Sequence, residues 1–304
     1  MKKYKVAIFT AYYNREDFVK DSIQSLLDQD YDDFIVIAIN DGSTDNTLKI
    51  LQEFDDENLI VIDKINSGFV SSMKEAIERF DCEYIAIHGS GDISYTNRIS
   101  SQVQVLKENP TVGVVGCHYK NTDLTRGISI LTQAYSGKIN GNVMLDILRN
   151  KNPLTQGEIM IRRTDYDAVG GYNTLFTFSQ DYDLWLRLSL ITDFYIVPEC
   201  LYERYVRSDG VSGNVDKIAV QQFLASLARM NAGSRSNVVS LFSKAKDKQL
   251  KIRLIKLTIR AACFDINYPS KLCTVNKLEF GSFSLILNSI LFVCKVREFL
   301  NGKK

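Results

Sequence analysis

Three short stretches carry the side chains that could do chemistry. "INDGSTDNT", Ile39 to Thr47, follows an apolar run and offers Asp41 beside Gly42 and Ser43. An aspartate there could accept hydrogen bonds from a nucleobase N–H or a ribose hydroxyl. "YIAIHGSGDIS", Tyr84 to Ser94, ends another apolar run with one carboxylate, Asp92, behind Gly89, Ser90 and Gly91. "SQDYDLWLRL" places Asp181 and Asp183 at the start of an amphipathic run. Neither GxGxxG nor a Walker phosphate loop is present. A bound nucleotide diphosphate would need another anchor, and a cation held by carboxylates is the usual one. A plainer reading stands beside each stretch: a turn and helix cap at Asp41 to Asp45, a tight turn at Gly89 to Asp92, and a helix cap at Asp181.

These residues need a scaffold, and the periodicity supplies one. "YKVAIFT", "FIVIAI", "LIVI" and "YIAI" are compact apolar runs, as expected of buried parallel strands. Between them, "REDFVKDSIQSLLDQD", "DNTLKILQEF" and "FVSSMKEAIERF" have helical spacing. Asn14 is positioned to cap the first of these helices. Residues 97–108 read as a helix, "VGVVGC" and "EIMIRR" as strands, and "QDYDLWLRLSLI" as a helix. Strand and helix alternate through short links, so the fold class is α/β, a mainly parallel sheet with helices on both faces. Asp41 and Asp92 then fall at the carboxyl edge of the sheet, where ligands bind.

The 304 residues are 45% hydrophobic and carry a net charge of +1, which gives nucleic acid no global field to follow. Two histidines, His88 and His118, and six cysteines without CxxC spacing argue against zinc and suit a reducing compartment. The N-terminal apolar run reads as a first strand and not a signal peptide. No segment has the roughly 20 apolar residues that span a bilayer.

Four segments in order, "VAIFTAYYNREDFVKDSIQSLLDQDYDDF", "INDGSTDNT", "YIAIHGSGDISYTNRISSQVQVLKENPTVGVVG" and "VGGYNTLFTFSQDYDLWLRL", resemble the family 2 inverting glycosyltransferases with the GT-A fold. The resemblance covers roughly residues 4–212. It implies a nucleotide-diphosphate-sugar donor, with Asp41 at the base and Tyr13, Asn14, Asn66 and Gly68 on the nucleotide side. Lys74 and Arg207 would face the diphosphate. The family's Asp-Ala-Asp-Asp-Ile-Ser pattern aligns on "DIS", so Gly89 and Gly91 replace two aspartates and Asp92 keeps the third. By resemblance Asp92 is the ligand of a Mg2+ or Mn2+ ion, and one carboxylate plus phosphate oxygens and water is chemically sufficient. Resemblance also makes Asp181 the general base, with Asp183 the alternative; the Asp183–Arg187 spacing suggests a structural pair.

The expected division is a catalytic domain over 1–214, with a nucleotide-binding half over 1–118 and an acceptor half over 119–214. A helical region over 215–304 follows. There Lys244 to Arg260 interleaves basic and apolar residues, and Phe283 to Val293 is strongly apolar. That pattern suits a peripheral contact with the cytoplasmic face of a membrane, or packing against the catalytic unit or a second copy in a homodimer. The implied acceptor is a glycan, lipid-linked in surface polysaccharide assembly of the O-antigen or capsule kind. Two rivals remain open: a nucleotide-sugar or glycan-binding relative without turnover, and a metal-independent transferase relying on Lys74 and Arg207.

Overall fold

The structure, a computed structural model, describes residues 4–174 and 176–206, together with 221, 222, 224, 225, 228 and 229. Arg207 and the basic and apolar stretches of the C-terminal region lie outside the described residues. The chain divides into two compact units, Met1–Gly213 and Asn214–Lys304. The elements below belong to the first.

The apolar runs become the strands β1 (Tyr4–Tyr12), β2 (Phe34–Asp41), β3 (Leu59–Lys64) and β4 (Cys82–Ile87). Helices α1 (Val19–Leu27), α2 (Thr47–Gln52) and α3 (Phe69–Arg79) connect them. The pairings β1–β2, β2–β3 and β1–β4 are all parallel. The order β3-β2-β1-β4 reverses direction at β1, and in sheets of this kind ligands bind at the carboxyl ends of the strands where the order reverses. Two-residue alternation explains the burial. Val6, Ile8 and Tyr12 join one core with Ile23 and Leu26 of α1. Ala7, Phe9 and Ala11 point to the opposite face and are also buried. A sheet covered on both sides needs strands apolar at every position, which is what the sequence provides.

Beyond β4 come β5 (Ile93–Ser94), α4 (Arg98–Glu108) and β6 (Val112–Asp123), then β7 (Ile128–Thr132), β8 (Gly137–Ile139) and α5 (Gly141–Asn150). The chain continues through β9 (Met160–Arg162), α6 (Arg163–Ala168), α7 (Gln180–Leu188) and β10 (Asp193–Val206). Strand β9 runs antiparallel between β4 and β6, and β10 pairs parallel with β6 and antiparallel with β5. Register shifts between Val197 and Tyr202 bend β10, after which pairing is regular from Tyr202 to Val206. Such irregularities re-aim side chains beside a site, and here they set the direction of Tyr202. No helix among the described residues is long and apolar enough to cross a membrane.

The first helix departs from its sequence reading. It begins at Val19, so Asn14 does not cap it. Asn14 instead has φ +53°, and its side-chain oxygen accepts from Thr44 N–H at 2.8 Å. A bond to a loop 30 residues away has replaced the local cap.

Candidate functional site

Two loops at the carboxyl edge of β1 and β2 are laced together. Asn14 N–H donates to Ser43 Oγ at 3.1 Å, Arg15 N–H to Thr47 Oγ1 at 2.7 Å, and Glu16 N–H to Asp45 at 3.1 Å. Glu16 in return accepts from Asn46 N–H at 2.9 Å. This reciprocal network holds Tyr13, half exposed, beside the Asp41 loop.

Asp41 is buried at the end of β2 and organises a third loop. Its Oδ1 accepts from Ser67 N–H at 3.0 Å and Ser72 Oγ at 2.7 Å, and its Oδ2 from Gly68 N–H at 3.0 Å. Asn66 Nδ2 donates to the Asp41 carbonyl at 2.8 Å. The structure therefore brings Tyr13, Asn14, Asp41, Asn66 and Gly68 to one edge. Gly42 has φ +73°, and a Cβ there would sit 2.6 Å from Asn66 N, so only glycine allows the two loops to approach.

Lys74 lies on another face of its helix from the residue that meets Asp41. Ser72 faces Asp41, and two residues further along the helix the side chain points about 200° away. Lys74 Nζ instead meets the carbonyls of Gly170 at 3.3 Å and Tyr172 at 3.4 Å, and Glu78 at 3.4 Å.

The Gly89–Asp92 stretch holds the largest departure. Asp92 is only 8% exposed, and both its oxygens are engaged by the protein. Tyr202 Oη donates to Oδ2 at 2.8 Å, and Tyr205 N–H donates to Oδ1 at 3.0 Å. The second bond is made to the side chain, just beyond the end of the β5–β10 ladder. Tyr202 Oη also accepts from Gly89 N–H at 2.9 Å. A Cβ on Gly89 would fall inside the Asp92 carboxylate and 2.8 Å from Tyr202 Oη, and one on Gly157 would fall on that hydroxyl. The space of an aspartate at 89 is thus filled by Asp92's own carboxylate and the Tyr202 hydroxyl.

Buried polar groups back this arrangement. His88 Nε2 lies 3.0 Å from both Ser22 Oγ and the Asp92 carbonyl. Burial, then the nearby Arg98, hold its pKa well below the usual range, so the ring is neutral. Arg98 is fully buried, bonds the carbonyls of Ile87 and Gly157, and lies over the Tyr202 ring at 5.4 Å. Burial and the Asp92 charge push the Tyr202 hydroxyl pKa far up, so it stays a donor.

The residues present do not fit a carboxylate-held divalent cation. Among the described residues no group of three or more His, Cys, Asp or Glu side chains converges on a metal-sized space. The aspartate that resemblance assigns to the ion is turned inward onto Tyr202 and Tyr205. The resemblance implies Asp92 as the ligand of a Mg2+ or Mn2+ ion; the structure directs its two oxygens to Tyr202 and Tyr205.

On the acceptor side, Asp181 is half-buried at the start of α7 and accepts from Asn152 Nδ2 at 3.3 Å. Burial raises its pKa above the ordinary carboxylate range; its helix-terminal N–H groups, Arg204 and Asn152 pull the other way. A half-buried carboxylate with a raised pKa is suited to take a proton. Beside it, Gln180 Nε2 donates to Gln156 Oε1 at 2.8 Å, and Gln156 in turn donates to Tyr172 Oη at 2.5 Å. Asp183 faces the interior, where Arg187 holds one of its oxygens through two nitrogens at 2.6 and 3.0 Å. Trp185 is wholly buried, a core ring. Residues 152–158 link the two sides: Asn152 touches Asp181, and Gly157 touches Tyr202 and Arg98.

Sequence reasoning did not single out Tyr202 or Asn152, which the structure places against Asp92 and Asp181.

The model of the family described as "Glycosyl transferase family 2" matches residues 7–177. An uncharacterized glycosyltransferase of Haemophilus influenzae is 26% identical over 215 residues, covering 64% of this chain and 64% of that protein. The putative glycosyltransferase EpsE of Bacillus subtilis is 29% identical over 191 residues, covering 60% of this chain and 66% of that protein. The matches thus span just under two thirds of these relatives. S. aureus TarS 1–349, solved with UDP-GlcNAc, superposes with a TM-score of 0.64 at 18% identity, covering 88% of this chain and 83% of that one. The mannosyltransferase PcManGT of Pyrobaculum calidifontis, solved with GDP-Man and Mn2+, gives 0.56 at 14% identity, covering 99% of this chain and 88% of that one. At these identities the structural likeness establishes the fold, which is GT-A.

Proposed function

Since the chain belongs to glycosyl transferase family 2, we propose that it is an inverting glycosyltransferase using a nucleotide-diphosphate-sugar donor. The observation that carries this reading is the presence of two arrangements in one compact unit. One is the laced donor loops around Asp41; the other is the half-buried carboxylate of Asp181 with its raised pKa. TarS and PcManGT, solved with UDP-GlcNAc and GDP-Man, lend support to a donor of that class.

In this mechanism the base and ribose lie against the 13–16, 41–43 and 66–68 loops. An acceptor hydroxyl oxygen attacks the anomeric carbon from the face opposite the diphosphate. Asp181 takes the hydroxyl proton as the new C–O bond forms. The bond from the anomeric carbon to the diphosphate oxygen breaks, and its electron pair leaves with the diphosphate. Attack from the opposite face inverts the anomeric configuration. Asn152 and the α7 N–H groups fix the carboxylate for this task.

The acceptor in this proposal is a glycan, lipid-linked, in surface polysaccharide assembly at the cytoplasmic face of a membrane. The basic and apolar sequence of 244–260 and 283–293 supports the membrane contact. A nucleotide-sugar panel read by thermal shift tests the donor reading, because a bound donor raises stability by mass action. A rise with one nucleotide sugar, followed by release of its diphosphate, supports it. No rise with any of them contradicts it.

A further inference from the structure

We propose that Arg204 holds the donor's diphosphate in place of a carboxylate-bound divalent cation; the inference rests on the transferase reading above. Two sets of observations meet here. The first is the closed state of the cation position. Gly89 leaves no room for a side chain, and Tyr202 Oη and Tyr205 N–H take both oxygens of Asp92. The leaving diphosphate still carries charge that something must meet.

The second is where β10 places a cation. Pairing with β6 is regular from Tyr202↔Tyr119 through Arg204↔Asn121, so Tyr202 and Arg204 project from the same face of the strand. Tyr202 points at Gly89 and Gly157, at the carboxyl edge of β4. Arg204 therefore stands about 7 Å further along the same face, two residues at roughly 3.3 Å each. It is half-buried and pairs with no carboxylate among the described residues. Burial raises the pKa of both Asp181 and the buried Glu158, and the Arg204 charge pulls against that rise in each, so Arg204 stands near both carboxylates. A guanidinium presents planar paired N–H donors that match phosphate oxygens, and partial burial strengthens the contact. The register that closes the cation position thus also delivers a fixed positive charge next to it.

The test is equilibrium binding of UDP, GDP, CDP, ADP and dTDP to the full chain by calorimetry, once with excess EDTA and once with MnCl2. One diphosphate should bind with the same Kd, within about two-fold, in both conditions. Arg204→Gln should weaken that diphosphate at least ten-fold while binding the matching nucleoside as wild type does, and Arg204→Lys should recover part of the loss. Binding that needs Mn2+, or an Arg204→Gln variant with undiminished diphosphate affinity, overturns the inference. The EDTA comparison uses the wild-type chain, so it decides the matter even where a variant fails to fold. Binding of no diphosphate in either condition removes the donor reading itself, an outcome distinct from Mn2+-dependent binding.

Discussion

Replacing Asp181 by Asn separates proton abstraction from every other contribution at the site. An asparagine oxygen can still accept from Asn152 Nδ2 and from the first N–H groups of α7, so the local geometry persists. What disappears is basicity. A positioned general base contributes about 10²- to 10⁴-fold, or about 2.7–5.4 kcal/mol at 1.36 kcal/mol per ten-fold. The loss should fall on kcat, with donor KM unchanged, because the base touches the acceptor hydroxyl and not the nucleotide. The pH profile adds a second readout. Burial raises the Asp181 pKa, so the acid limb of wild-type kcat should lie above the ordinary carboxylate range, and Asp181→Asn should lack it. Stability moves the opposite way. A carboxylate with a raised folded pKa binds its proton more tightly folded than unfolded, so its contribution falls as pH rises from the unfolded to the folded value. Above that window the charged group opposes folding, and the neutral asparagine should leave the melting temperature equal or higher. Steady-state kinetics and a melting curve at pH 8 check both halves. Activity within about three-fold of wild type, or a loss confined to KM, would refute the assignment.

Three further outcomes follow from the packing. Gly89→Ala drives a methyl group into Asp92 and Tyr202 and should cost about 1–3 kcal/mol as overpacking, read as a lower urea midpoint; an unchanged midpoint would mean the Tyr202 contact is loose. Gly42→Ala combines a positive φ with a clash at Asn66 N, so about 1–2 kcal/mol of backbone strain should come with weaker nucleotide binding, measured by calorimetry. Arg187→Met leaves Asp183, 3% exposed, buried without its partner; about 3–5 kcal/mol of lost stability is expected in denaturant unfolding, whereas a catalytic role for Asp183 would show as lost kcat with stability intact.

The parallel half of the sheet was legible because its strands are buried on both faces and so read as unbroken apolar runs. Asp41 and its glycine were legible for a related reason, since strand ends in such sheets are where loops gather. The orientation of Asp92 was not. It depends on Tyr202, 110 residues away in sequence, and on a bend in β10 that no local pattern announces. The sequence reading tied sugar transfer to Asp92 holding a cation. Family membership rests on the match over residues 7–177 and does not depend on that ion. The direction of Lys74 was not legible either: Ser72, two positions earlier, is the residue on the Asp41 face of its helix, and Lys74 meets Gly170 and Tyr172. Asn14 failed as a cap because its partner is Thr44, across a loop, and not the helix that follows it. Asp181 and Asp183 could be told apart in part from sequence, since four-residue spacing to Arg187 marks a helix-face pair.

The central claim is displacement at the anomeric carbon from the side opposite the diphosphate. With water as acceptor, proton NMR of the hydrolysed donor in the first minutes, before mutarotation mixes the anomers, reads the stereochemistry directly. The account predicts that the free sugar appears first as the anomer opposite to the donor's. Early appearance of the donor's own anomer would contradict it.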